Sequence, residues 1–222
     1  KKMKILLVGA SSDICCKLFE KYSKKYEFIQ LSSNDEFSDV NSFNVLDPST
    51  FPELDNLDGI VYFPGTIILK PFKRLDLDVF KSDYEINVLG LLNILKFYES
   101  RLSEAASLVF ISTVAASLGM PFHSSISMCK SSIEALSRTL SAEWAPKIRV
   151  NCIAPSLVNT KLANRFFRND KQIELMNERH PLKRTGNTDD ISDAIEFLIS
   201  PNSSWITGQV INVDGGMSTL KL

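Results

Sequence analysis

The chain has 222 residues, 44% of them hydrophobic and 23% charged, with a net charge of -1 and a pI near 6.2. That length can bury one substantial core, and the balanced charge offers no basic footprint for nucleic acid or an anionic membrane, so neither is expected as a partner. The longest apolar stretches, Lys4 to Ala10 and Val109 to Met120, are too short or too polar to cross a bilayer. No signal-peptide pattern precedes them, and a cytoplasmic protein is expected. Cys15, Cys16, Cys129 and Cys152 lack metal-ligand spacing, and an adjacent pair does not easily close a disulfide on itself, so free buried thiols and no metal site are expected.

The first strand-length apolar run, Ile5 to Val8, leads into Gly9-Ala10-Ser11-Ser12-Asp13-Ile14-Cys15 and then a helix marked by Leu18, Phe19 and Tyr22. A tight turn feeding a helix N-terminus presents backbone N–H groups to a pyrophosphate. Only Gly9 remains of the three glycines such a loop usually carries, and Asp13 either caps the helix or faces nearby backbone. A second run, Phe28 to Leu31, is followed by polar Ser32 to Ser42 and by Pro48 to Pro52, which leaves room for little more than one helical turn, so two stunted crossovers are expected. Gly59 to Phe63 is the third run. Phe80, Tyr84, Val88, Leu91, Leu95 and Tyr98 then fall on one helical face.

Leu108 to Ile111 is the fourth run, and Ile133, Leu136, Leu140 and Trp144 mark the next helix. Val150 to Ile153 follows, then a helix through Ile191, Ile195 and Leu198, with Thr188 as its cap and Asp189 and Asp190 favouring its dipole. Val210 to Val213 closes the series. Strands alternating with helices predict a doubly wound parallel α/β sheet covered on both faces, a three-layer Rossmann-type arrangement in one domain over 1–222.

The first loop resembles the T-G-x-x-x-G-x-G loop of the short-chain dehydrogenase/reductase family, with Val8, Asp13 and Cys15 as departures. Arg149 to Ser156 followed by Thr160 resembles that family's strand and Pro-Gly turn, with Ser156 in place of glycine. Ile206-Thr207-Gly208-Gln209 through Val213-Asp214-Gly215-Gly216 resembles its C-terminal strand. The family's Asn-Asn-Ala-Gly stands here as Tyr62-Phe63-Pro64-Gly65.

The resemblance implies a nicotinamide dinucleotide bound by Gly9, Ser11, Ser12, Ile14, Ser32, Ser33, Asn44, Val45, Gly65, Lys130, Pro155, Val158 and Thr160. NADP is preferred to NAD, because Leu31-Ser32-Ser33-Asn34 carries no acid for a ribose 2'-hydroxyl. It further places Thr113 at the family's serine, Ser112 being the choice if the alignment slips by one, Lys130 at its lysine and Asn87 at the asparagine that holds a relay water. At the tyrosine, four residues before the lysine, stands Ile126. Isoleucine has no proton to give, and a positioned acid contributes roughly a hundred- to ten-thousand-fold in rate. A related branch of the family has its tyrosine seven residues before the lysine, where this chain has His123.

The resemblance also implies a lid around 158–184 over a small carbonyl, hydroxyl or enoyl substrate, and pairing of helices around 80–102 and 125–145 into a homodimer or homotetramer. Two functions remain open: an NAD(P)-dependent oxidoreductase with an atypical relay, or a catalytically silent dinucleotide-binding protein.

Overall fold

The computed structural model describes residues 2–221. Six strands form one parallel sheet in the order β2-β1-β3-β4-β5-β6, with β1 Lys4–Val8, β2 Glu27–Leu31, β3 Leu57–Tyr62, β4 Leu102–Ile111, β5 Arg149–Pro155 and β6 Val210–Val213. All six predicted runs are strands. They read as unbroken apolar stretches because both faces of the sheet are covered. Along β1, Leu6 and Val8 join the core on one face, and Ile5 and Leu7 the core on the other.

Helices α3 (Gly90–Tyr98) and α4 (Ser124–Trp144) cover the first face, with α2 (Leu77–Tyr84) packed against α4; α1 (Asp13–Tyr22) and α6 (Thr188–Ile199) cover the second. A further helix, α5 (Asp170–Glu178), lies outside these layers near the cavity described below. Both short polar stretches fall in the single connection from β2 to β3, where each forms one tight 3-10 turn, Asp35–Phe37 and Pro48–Thr50. Among the described residues no helix is long and apolar enough to cross a membrane. The four cysteines are free thiols, three of them buried.

Two local expectations are corrected. The helix through residue 98 is not one α-helical stripe, because α2 and α3 are joined by a π-turn over Glu85–Leu89. The wider turn re-phases the buried face. Tyr84 is therefore left 38% exposed, while Asp83 and Asn87 go inside. The cap of α6 is Asn187 rather than Thr188: its side chain accepts from Asp190 N–H, and the Asp190 carboxylate accepts from Asn187 N–H in return.

Candidate active site

Order reverses between β1 and β3, and a cavity of about 650 Å³ opens at the C-terminal ends of the strands, where a doubly wound sheet takes its ligands. It lies within the roughly 300–1,000 Å³ typical of small-molecule sites. Every predicted cofactor contact lines it: Gly9, Ser11, Ser12, Ile14, Ser32, Ser33, Asn44, Val45, Gly65, Lys130, Pro155, Val158 and Thr160. Thr113, His123 and Ile126 line it too, whereas Asn87 sits behind Gly65, fully buried. Lys130, Lys161 and Arg179 line the cavity against one acid among the described residues, Asp13, a balance that suits an anionic ligand.

The glycine loop is built for close approach. Gly9 has φ +85°, and a Cβ there would meet the Pro64 ring at 2.9 Å, so only glycine fits. The N-cap of α1, Ser12, makes no side-chain capping bond, leaving the first turn's N–H groups for a ligand. Asp13 does not cap this helix. Its carboxylate accepts from Lys161 N–H at 2.6 Å and pairs with the Lys161 ammonium at 3.8 Å, tying α1 to the segment that follows β5. Cys15 is fully buried, its small side chain filling the place of the family's third glycine. Past β2, Ser32 is buried and its oxygen already accepts from Asn34 N–H, so Ser33 is the exposed hydroxyl at that end.

Lys130 lies one turn after Ile126 on α4, and is 5% exposed. Among the described residues its ammonium has only a long contact, 3.5 Å, to the Pro64 carbonyl, and burial pushes its pKa down to about 8. Gly65 keeps a gap open here. A Cβ on it would lie 3.2 Å from Lys130 Nζ and 3.3 Å from Asn87 Oδ1. The Asn87 amide nitrogen donates to the Asp83 carbonyl and to Thr66 Oγ1, while among the described residues its buried Oδ1 has no partner. An unsatisfied acceptor beside a buried ammonium calls for a polar ligand or water in the gap.

Of the two neighbouring hydroxyls after β4, Ser112 turns inward and donates to Glu134 at 2.6 Å. Thr113 is half-buried at the cavity wall, its oxygen accepting from Ala115 N–H at 3.3 Å. His123 is held by a 2.7 Å contact from Nδ1 to the Pro121 carbonyl.

Several site residues carried no sequence signal. Asp83 is fully buried and accepts hydroxyl hydrogens from Thr66 and Ser125, both at 2.5 Å, locking the wall around Asn87. Met120, Phe166 and Met176 make one end of the cavity apolar. His180, also at the wall, reaches Ser156 across 24 positions of sequence, and the substitution of Ser156 for glycine was the only hint of it. The segment from 158 to 186 is pinned at its base, where Val158 bridges Gly186 and Asn159 N–H donates to the Gly186 carbonyl.

A family model described as enoyl-(acyl carrier protein) reductase matches residues 39–218. The chain is 36% identical over 157 residues to a chloroplastic tropinone reductase homolog of Arabidopsis thaliana, covering 69% of this chain and 49% of that protein. It is 30% identical over 184 residues to the peroxisomal 2,4-dienoyl-CoA reductase of Saccharomyces cerevisiae, covering 81% and 63%. The chain thus spans between about half and just under two thirds of the length of these relatives. A gluconate 5-dehydrogenase from Burkholderia cenocepacia, solved with NADP and tartrate, shares the fold with a TM-score of 0.89 over 99% of this chain and 96% of that one, at 19% identity. The matched residues include all of the cavity wall from Asn44 to Met217, and they make this chain a member of the short-chain dehydrogenase/reductase family of NAD(P)-dependent oxidoreductases.

Proposed function

We propose that this chain is an NAD(P)-dependent oxidoreductase acting on a small carbonyl, hydroxyl or activated alkene substrate, with residues 158–184 serving as the lid of a single domain. The observation that carries the reading is the gap at Gly65, where a buried ammonium and an orphaned amide oxygen face one opening. A dinucleotide fits the residues present. Ser11, Ser12 and Ile14 would hold its pyrophosphate at α1, Ser33 with Asn44 and Val45 its adenosine half, Lys130 its nicotinamide ribose, and Pro155, Val158 and Thr160 its nicotinamide.

When bound, that group supplies or accepts a hydride at the substrate carbon. Thr113 would hold the substrate oxygen, and Asn87 with Lys130 would hold a water in the relay behind it. Ser33, with no acid among the described residues lining that end of the cavity, favours NADP over NAD. The exposed apolar side chains Tyr84, Leu89 and Met128 on α2, the π-turn and α4 support a homodimer or homotetramer, which light scattering at micromolar concentration checks.

One observation favours the silent-binder reading: Ile126 is buried where the family has its tyrosine. Titration with NADP and NAD, followed by a panel of carbonyl and enoyl substrates, separates the two. Saturable binding with turnover supports the oxidoreductase. Binding without turnover in the natural chain, with turnover appearing in Ile126→Tyr, moves the function to a sensor or assembly subunit. His123→Ala assigns the proton to His123 if the rate falls at unchanged dinucleotide affinity, and removes His123 from the mechanism if it does not.

A further inference from the structure

Resting on that oxidoreductase reading, we propose that the Ser156 hydroxyl, backed by His180, gives and takes the substrate's proton in this chain, the duty that position 126 cannot perform. Ser156 follows Pro155 at the end of β5, and both Ser156 and His180 line the cavity. His180 is only 2% exposed, yet both ring nitrogens are engaged. Nδ1 lies 2.8 Å from the Met176 carbonyl, which can only accept, so Nδ1 carries the hydrogen of the neutral ring. Nε2 is then bare, 2.9 Å from Ser156 Oγ. Met217 Sδ is also 2.9 Å from that oxygen, but a thioether is the weaker acceptor, so the hydroxyl hydrogen points to Nε2. A hydroxyl on an imidazole whose other nitrogen is fixed by a carbonyl is the arrangement that activates nucleophiles and carries protons.

In alcohol oxidation the substrate O–H breaks, its proton goes to Ser156 Oγ, and the Ser156 proton goes to His180 Nε2. The carbon gives its hydride to the oxidised dinucleotide, which is thereby reduced. In carbonyl reduction the imidazolium returns a proton to Ser156, and Ser156 gives its own to the substrate oxygen. The imidazole exchanges that single proton with water. The charged groups around the ring are Asp214, beyond β6, whose carboxylate is stabilised in part by His180, and Arg179 beside it in the chain. The Asp214 carboxylate is fixed by Gly216 and Ser218 N–H groups at 2.8 and 2.9 Å.

The chain has two histidines, so nitrogen-15 ring spectra of the natural protein and of His123→Ala assign His180 without ambiguity. With dinucleotide but no substrate, His180 is expected as the Nδ1–H tautomer, and Ser156→Ala is expected to move its Nε2 signal. In turnover, Ser156→Ala should lower kcat on the order of a hundred-fold with dinucleotide Kd unchanged, and Ser156→Thr, which keeps a hydroxyl, should recover most of it. His180→Gln should lower kcat to the same order as Ser156→Ala, again with dinucleotide Kd unchanged. An Nε2–H tautomer, a Ser156→Ala rate equal to the natural one, or equal losses in Ser156→Ala and Ser156→Thr overturns the proposal. A natural chain that binds dinucleotide and turns over nothing overturns it together with the oxidoreductase reading; turnover that survives Ser156→Ala overturns it alone.

Discussion

Replacing Lys130 by methionine should make the ligand-free protein more stable while weakening its hold on the dinucleotide. Lys130 is buried with one long hydrogen bond, and its pKa falls from 10.5 to about 8. At about 1.36 kcal/mol per pH unit, that fall corresponds to about 3 kcal/mol of charge desolvation borne by the folded state. Because the folded pKa is the lower one, the unfolded chain binds more protons between about pH 8 and 10.5, and stability rises with pH across that window. Below pH 8 the full cost is present. Lys130→Met removes it and keeps most of the apolar stem.

The variant should therefore exceed the natural chain by about 3 kcal/mol at pH 7, roughly 6–12 °C in Tm for a chain of this size. The difference should shrink as pH rises from 8 and be close to zero above 10.5. Urea unfolding followed by tryptophan fluorescence measures it, with Trp144 as the reporter because Trp205 is 98% exposed in the folded state. Other groups that titrate at high pH are common to both proteins and cancel in the difference. A variant no more stable at pH 7, or a gain unchanged between pH 7 and 10.5, would refute the desolvation argument. Unchanged dinucleotide affinity would refute the placement of the site.

Gly9→Ala should cost about 1–3 kcal/mol and weaken dinucleotide binding, since the new Cβ meets both a positive φ and the Pro64 ring; thermal unfolding and titration check both. Asn187→Ala should cost about 1 kcal/mol in thermal unfolding, because it removes one half of the α6 capping box. Asp13→Ala should speed tryptic cleavage after Lys161, Arg165 and Arg168 several-fold by freeing the Lys161 backbone from α1, with little change at sites elsewhere in the chain.

The sheet was legible because each strand is buried on both faces and has to be apolar throughout, as in Leu6, Leu7 and Val8 or Val150, Cys152 and Ile153. The ends of elements were less so, and Asn187 took the cap from Thr188 because the capping box needs an acid three residues on, which Asp190 supplies. That these segments meet at one cavity was readable through resemblance, since the loop, Lys130 and the turn after Pro155 occupy motif positions. The polar network of Thr66, Asp83, Asn87 and Ser125 was not. Its members are joined by tertiary contact across 17 to 42 residues, and the π-turn gives them no regular spacing. His180 escaped notice for the same reason, its partner being Ser156 in another segment.

The π-turn makes chain length itself a determinant of the site. An α-helix advances about 100° per residue, so deleting a single residue between 85 and 89 would let α2 and α3 run on as one regular helix. The deletion would improve the helix as a helix, yet it would swing Tyr84 inward and carry Asp83 off the buried face. Thr66 and Ser125 would lose their shared carboxylate, and Asn87 the carbonyl that fixes its amide. Conservative replacements along this helix therefore disturb the cavity less than the removal of one residue whose side chain touches nothing in it.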